Sequence, residues 1–346
     1  MNRLFRDVDG GPVCAGGSVV CIGAFDGLHL GHRALVRHAV ARARSLGLPP
    51  VALSFEPLPR EFFARDNPPP RLTLPRDRVG GLFGLGIDHL GLLRFNAALA
   101  AMPAETFVRQ VLVGRLGARE VWIGPGFGFG HRRGGDLALL QAMGRELGFS
   151  ADAIMPVQVQ GERVSSTRIR EALVAGDFGR AAALLGRPYA ICGRVVRGRQ
   201  LGRTLGFPTA NLRFPQTPAL SGIYATLVHG AGPRPWPAVS SFGTRPTVDG
   251  MEPLLEAHLF DFSGDLYGRH LEVEFVARLR DEEKFPGLPE MTAQMHRDAA
   301  QARAILSAHA EAARAAAPGR AGTEHDHSPQ SPAPTGADSL KAAVRR

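Results

Sequence analysis

The octapeptide FDGLHLGH (Phe25–His32) carries two histidines behind the turn glycines Gly27 and Gly31. An apolar run, SVVCIGA (Ser18–Ala24), precedes it, and RALVRHAVARARSLG (Arg33–Gly47), with helical apolar spacing and a glycine stop, follows it. This strand–turn–helix order puts His29 and His32 at a helix N-terminus, where unpaired N–H groups and partial positive charge cradle phosphate. The glycines let the backbone approach a ligand closely. Two imidazoles so placed can donate hydrogen bonds to a phosphoryl group whose charge changes during transfer, an electrostatic role that needs no covalent intermediate. Two plainer readings compete: a surface histidine at a helix start, and a metal-binding pair, for which no third ligand is evident nearby. A second segment, RVSSTRIREAL (Arg163–Leu173), offers the N-cap residues Ser165, Ser166 and Thr167 and the cations Arg163, Arg168 and Arg170. Alone it reads as a capped helix with a solvated basic face; beside FDGLHLGH in one domain it adds to a phosphate pocket.

The stretch GRVVRGRQLGRTLGFPTANL (Gly193–Leu212) points to a second site. Gly193, Gly198, Gly202 and Gly206 permit a tightly wrapped loop, and Arg199 and Arg203 bring charge to it. Thr209 and Asn211 share one face if the chain is extended. A threonine hydroxyl and a phosphate oxygen are hard ligands of the kind Mg2+ prefers. A glycine-rich turn between strands is the plainer reading, but it leaves the clustering of Pro208, Thr209 and Asn211 unexplained. Phosphorylating an alcohol requires a base for the hydroxyl proton and a metal to screen the phosphates. Glu256, in LEAHLFDFSGDLYG (Leu255–Gly268), is the candidate base, set against the commoner fate of an exposed strand glutamate.

The elements that must position these residues fall into two groups. Before about Arg187, apolar runs at Ser18–Ala24, Pro50–Phe55, Gly86–Leu93, Glu120–Gly124 and Ala153–Val159 read as strands. They alternate with helical patterns such as Thr106–Leu116 and Asp136–Leu147, which predicts a parallel sheet with helices on both faces and ligands at the carboxyl ends of its strands. Beyond Arg187, Gly222–His229, Leu255–Phe262 and His270–Leu279 alternate or run apolar between Gly and Pro turns, which predicts a small antiparallel β-barrel closed by a helix at Pro289–His309. From about Ala317 the chain is polar and rich in Pro and Gly, the composition of a disordered tail.

With 346 residues, 44% of them hydrophobic, the chain has material for two domains. No run of about 18 apolar residues predicts a membrane span, and the charged N-terminus lacks a secretory signal. The 3 cysteines, Cys14, Cys21 and Cys192, form no CxxC pair, which fits a reducing, cytoplasmic setting and argues against a disulfide framework or cysteine zinc site. The formal charge is +9, and Lys284 and Lys341 are the only lysines, so a P-loop is excluded. Excess arginine suits phosphate recognition. A basic stripe interleaved with aromatics is missing, so nucleic-acid binding is not the expectation. The oligomeric state stays open.

At these residues the chain resembles the bacterial bifunctional riboflavin kinase/FAD synthetase family. The likeness runs from about Val19 to about Ala308 and includes FDGLHLGH, RVSSTRIRE, GRxLGFPTAN, SGIYA (Ser221–Ala225), FGTRPTVDG (Phe242–Gly250), LEAHLFDFSGDLYG and RLRDEEKF (Arg278–Phe285). It implies a Rossmann-like nucleotidyltransferase domain at 1–186, a riboflavin-kinase β-barrel with a C-terminal helix at 187–312, and a tail at 313–346. It implies a transferase that phosphorylates riboflavin to FMN with ATP and Mg2+, then adenylylates FMN to FAD with release of pyrophosphate. Phe25, Asp26, Gly27, His29, His32, Arg163, Ser166, Thr167 and Arg170 would bind the nucleotide of adenylylation. Gly193, Gly198, Gly202, Thr209 and Asn211 would bind that of the kinase, with Thr209 and Asn211 at the metal and Glu256 as base. The loop Arg278–Phe285 and the last helix are candidates for the isoalloxazine pocket. Ala24, Leu58 and Gly126 depart from polar residues frequent in the family, and Ser241 from an Asn-like one. The histidine pair and SSTR remain, so adenylylation is expected to persist. A kinase with a weakened first domain is the alternative, and a basic nucleic-acid-binding protein the reading from another class.

Overall fold

The computed structural model describes residues 3–198, 202, 205–214, 218–247 and 250–316. A parallel sheet is built from β1 (Arg3–Phe5), β2 (Ser18–Ile22), β3 (Pro50–Glu56), β4 (His89–Arg94), β5 (Ala118–Ile123) and β6 (Ser150–Ala153), in the order β1-β4-β3-β2-β5-β6. All five residues of β2 are buried, as a strand covered on both faces must be. Its side chains alternate between two cores. Val19 and Cys21 pack with Leu35, Val36 and Ala39 of α1 (Leu30–Ser45). Val20 and Ile22 join the core on the other face, which includes Phe107, Val111 and Leu112.

Four further helices follow β3: α2 (Pro59–Phe63), α3 (Pro75–Gly84), α4 (Ala97–Ala101) and α5 (Ala104–Phe107), the last continued by π-helical turns to Arg115. α6 (Leu137–Leu147) separates β5 from β6. The chain lays β3 and β4 on one side of β2, then β5 and β6 on the other. The carboxyl ends of β2 and β5 therefore flank the topological switch point, where such sheets open a crevice for ligands.

The apolar run Ala153–Val159 does not form one strand. β6 ends at Ala153, Met155 is 83% exposed, and Pro156 has no N–H to continue a ladder. The chain instead forms a small hairpin from β7 (Gln158–Val159) and β8 (Glu162–Arg163), followed by α7 (Ser166–Val174) and α8 (Phe178–Leu185).

Six antiparallel strands then close a barrel: β9 (Ala190–Val196), β10 (Ala210–Arg213), β11 (Gly222–His229), β12 (Trp236–Thr247), β13 (Gly250–Leu259) and β14 (His270–Arg280), ordered β10-β13-β12-β11-β14-β9, with β9 pairing back to β10. Closure leaves no free sheet edge. The alternation of LEVEF sends Leu271, Val273 and Phe275 inward, where Tyr224, Phe242 and Leu255 complete the filling. Ile169, Leu173, Phe178, Leu184 and Leu185, from the helix pair that precedes the barrel, belong to the same core. The described residues up to Ala308 form one compact unit. The last helix, α9, runs Leu288–Ala316, past the expected end at His309; the tail beyond Ala316 lies outside the described residues.

Asp298 on α9 is 4% exposed and takes a two-pronged hydrogen bond from Arg280 at the end of β14, Nε to Oδ1 at 3.0 Å and Nη2 to Oδ2 at 2.7 Å. Gln294 donates to the same carboxylate at 2.8 Å. Asp298→Ala strands the guanidinium and should destabilise the protein by about 3 kcal/mol in urea unfolding. A loss below about 1 kcal/mol would assign helix docking to apolar contacts alone.

Candidate active sites

The turn between β2 and α1 is held in a conformation that L-residues avoid. Phe25 has φ 53° and Leu28 φ 43°, with Gly27 at φ 87° between them. Each such non-glycine residue costs on the order of 1–3 kcal/mol and persists only where its surroundings over-determine it. Here they do. The Ala24 carbonyl accepts from Arg78 Nη1 at 2.9 Å and Ser54 Oγ at 3.1 Å. The Asp26 carboxylate, 2% exposed, accepts from the amides of Leu72 (3.1 Å) and Thr73 (3.0 Å) and from Arg170 Nη2 (2.5 Å). Burial pushes the Asp26 carboxyl up, and Arg170 and these amides oppose the shift. Ser166 Oγ donates to the Asp26 carbonyl at 2.9 Å, and the Gly27 amide donates to Thr73 Oγ1 at 2.9 Å.

This turn delivers His29 as the N-cap of α1. Its Nδ1 accepts the His32 amide at 3.2 Å, which leaves the imidazole proton on Nε2 as a donor. The rings of His29 and His32 stack at 3.6 Å between centroids, and Phe25 meets His32 edge-on at 5.3 Å. Burial holds the His29 pKa down to about 4, and burial, His29 and Arg78 hold His32 well below the ordinary range. Both shifts favour the neutral imidazole. Among the described residues no group of three or more His, Cys, Asp or Glu could hold a metal ion.

The three arginines of RVSSTRIREAL have different partners. Arg163 Nη2 donates to the Pro125 carbonyl at 3.0 Å, in the loop after β5. Arg168 pairs outward with Glu171 and Glu162. Arg170 is spent on Asp26 and on the Pro70 carbonyl (2.5 Å), so it fixes the turn. Ser165, not Ser166, caps α7, and Thr167 is exposed. Beneath the turn lies a charge cluster that sequence reasoning missed. Arg71 and Arg78, each 1% exposed, share Glu56, and Arg71 also pairs with Glu61. Of the departures from the family pattern, Ala24 acts through its carbonyl and Leu58 is buried at the start of α2. Gly126 takes φ 72° in the loop after β5.

In the barrel, Asn211 of β10 stands directly across from Glu256 of β13, and Glu256 stands across from Ser241 of β12. Cross-strand partners carry their side chains on one face. Asn211 is buried, and its amide nitrogen donates to the Thr209 carbonyl at 3.2 Å. Gly198 lies so close that a Cβ there would come within 2.9 Å of the Asn211 carboxamide. Gly202 abuts the Phe207 carbonyl in the same way, while Gly193 sits on β9 against Leu212. Arg199 and Arg203 lie outside the described residues.

Thr209, Glu256, Ser241 and Gly202 line a cavity of about 320 Å³. Leu205, Phe207, Ile223, Val239, Met291 and Met295 form its apolar wall, and Arg280, Glu282, Glu283 and Phe285 its rim. The loop before α9 and α9 itself thus meet at this cavity. His258, which sequence reasoning did not mark, lines it too, with its Nδ1 at 2.9 Å from the Pro208 carbonyl. Its position two residues after Glu256, on the same strand face, was the available signal.

A doubly wound sheet with a phosphate-type turn at its switch point, followed by a closed six-stranded barrel with its own polar-floored cavity, defines a two-domain transferase with separate nucleotidyl-transfer and kinase modules. The FAD synthetase family model matches residues 12–168 and the riboflavin kinase model residues 185–306. The chain belongs to the bifunctional riboflavin kinase/FMN adenylyltransferase family. The relative so described from Escherichia coli (strain K12) is 43% identical over 288 residues, covering 83% of this chain and 92% of that protein. The one from Haemophilus influenzae is 41% identical over 306 residues, covering 88% and 99%. A solved structure described as a macrolide-efflux protein from Streptococcus pneumoniae aligns with TM-score 0.69 at 30% identity, covering 86% of this chain and 97% of that one. That description concerns the streptococcal protein; among the described residues here, no helix is long and apolar enough to cross a membrane.

The depressed histidine pKa values have a stability consequence. An unfolded histidine titrates near 6.5, so below that pH the unfolded chain binds protons that folded His29 and His32 refuse. Unfolding free energy should therefore fall as pH drops from about 6.5 toward 4, and His29→Gln should reduce that slope by up to about 1.4 kcal/mol per pH unit. An unchanged slope in urea titrations of the variant would show that His29 is not held neutral.

Proposed function

We propose that the two reactions of this family are divided between the two sites as follows, with the domain boundary at Gly186/Arg187 and a cytoplasmic setting consistent with the free Cys14, Cys21 and Cys192. The cross-strand alignment of Asn211, Glu256 and Ser241, the last two lining the barrel cavity, carries the assignment of the kinase. Riboflavin enters with its flat ring against the apolar wall and its ribityl chain toward Glu256. Glu256 takes the proton of the terminal hydroxyl as the oxygen attacks the γ-phosphorus of ATP and the bond to the β-phosphate oxygen breaks, giving FMN and ADP. The Thr209 hydroxyl and the oxygen of Asn211 are hard donors, and the amide end of Asn211 is already turned onto Thr209, so the pair fits Mg2+ together with ATP phosphate oxygens. When bound, the ion screens phosphate charge.

The turn at Phe25–His32 receives the second ATP. A phosphate oxygen of FMN attacks the α-phosphorus, the bond to the β-phosphate breaks, and FAD and pyrophosphate form. His29 Nε2–H and the first free amides of α1 face the charge that gathers on the α-phosphoryl oxygens. The neutral state of both rings supports this role, because they donate without a proton having to be acquired first. Arg163 reaches the same crevice from β8, while Asp26, Ser166 and Arg170 hold the turn.

Glu256→Gln should lower FMN formation by about 10²–10⁴-fold and leave FAD formation from supplied FMN within about twofold. His29→Ala should do the reverse. Chromatography of flavin products checks both, and loss of both reactions in either folded variant contradicts the division. If the wild-type protein accumulates FMN and no FAD, the first domain does not adenylylate.

A further inference from the structure

The anchors on the Phe25–Leu28 turn come from the doubly wound domain and its helices with one exception. The Gly27 carbonyl accepts Nη2 of Arg187 at 3.1 Å, a bond that spans 160 residues of sequence. Arg187 follows Gly186, which ends α8 in the left-handed conformation (φ 73°), and it precedes β9 of the barrel. We propose that Arg187 is a positioning residue for adenylyl transfer: from the junction with the barrel it holds the Gly27 carbonyl and thereby fixes the direction of the His29 imidazole. The inference rests on the reading of this turn as the adenylylation site.

The geometry requires such a hold at this peptide. Gly27 lies between Phe25 and Leu28, both at positive φ, and Leu28 is the residue before the N-cap His29. Without Arg187, the 27–28 peptide is held only by the long bond of its Leu28 amide to the Phe25 carbonyl at 3.3 Å, and a rotation that relieves the strain at Leu28 re-aims the residue that follows. The other bonds leave this oxygen alone: the Thr73 hydroxyl takes the Gly27 amide, the Leu28 amide donates to the Phe25 carbonyl at 3.3 Å, and Ser166 donates to the carbonyl of Asp26. A cavity of about 550 Å³ adjoins the turn on this side, lined by Leu28, Thr73, Arg33 and Arg187 among others. Arg33, on the first turns of α1, and Glu272 of β14 line the same cavity and act on the Arg187 guanidinium with opposite sign.

Because Arg187 touches backbone and not substrate, its loss should appear in kcat and not in KM. With supplied FMN, ATP and Mg2+, Arg187→Ala should lower kcat for FAD formation by about 10–100-fold, the cost of a misplaced catalytic group, with KM for ATP within about threefold. Arg187→Lys, which keeps one donor, should recover part of that loss. Riboflavin phosphorylation, measured on the same preparations, should stay within about twofold and serves as the control for folding. Wild-type FAD formation by Arg187→Ala alongside an inactive His29→Ala protein overturns this inference and leaves the reading of the turn standing. Normal FAD formation by His29→Ala overturns both. A parallel fall of both activities with no recovery by lysine assigns Arg187 a purely structural role and overturns the inference as well.

Discussion

A backbone that turns through positive φ at two L-residues between a buried strand and a helix is the constraint on which the first half of the molecule depends. The turn sets His29 as a cap and not as the first helical residue, and this in turn fixes its tautomer and its stacking on His32. Holding it takes the fully buried Arg78, the partly buried Arg170, a buried aspartate and hydroxyls from Ser54, Thr73 and Ser166. Such pairs stabilise little in net terms against apolar packing of equal volume, yet removing one partner is expensive. Their value here is geometric: they hold the turn and the N-terminus of α1 in one arrangement, which the proposed phosphate role of this turn requires.

The barrel meets a different requirement, the convergence of polar groups at the bottom of an apolar cavity. Strand register does this. A slip of one residue between β10 and β13 would send Asn211 or Glu256 to the opposite face. Barrel closure prevents the slip because every strand is paired on both sides. Arg280 and Asp298 then secure α9, which supplies the far wall. The same core that fills the barrel takes in α7 and α8, so the helix carrying Ser166 and Arg170 is packed on the barrel while its side chains hold the turn.

What the sequence disclosed and what it withheld separate along sequence distance. FDGLHLGH and the Gly193–Leu212 stretch were legible because their chemistry lies within a few residues and beside elements of clear periodicity. The strict alternation of LEVEF gave a barrel strand correctly oriented. Pairings such as Asp26 with Arg170, 144 residues apart, have no local signature. Composition marks both Arg168 and Arg170 as basic, and only the fold turns one to solvent and the other to a buried carboxylate. The apolar run after β6 misled because hydrophobicity without an available N–H at Pro156 does not make a strand. Arg71 and Arg78 sat in segments with no motif at all, and arginines are rarely buried, so nothing local set them apart.

Amide hydrogen exchange of the full chain, with and without Mg2+ and a non-hydrolysable ATP analogue, addresses the central claim that triphosphate is gripped at two separate places. Protection is expected in two separate segments, one across Asp26–Arg33 and one across Phe207–Arg213. Protection confined to a single segment at saturating nucleotide would contradict the account.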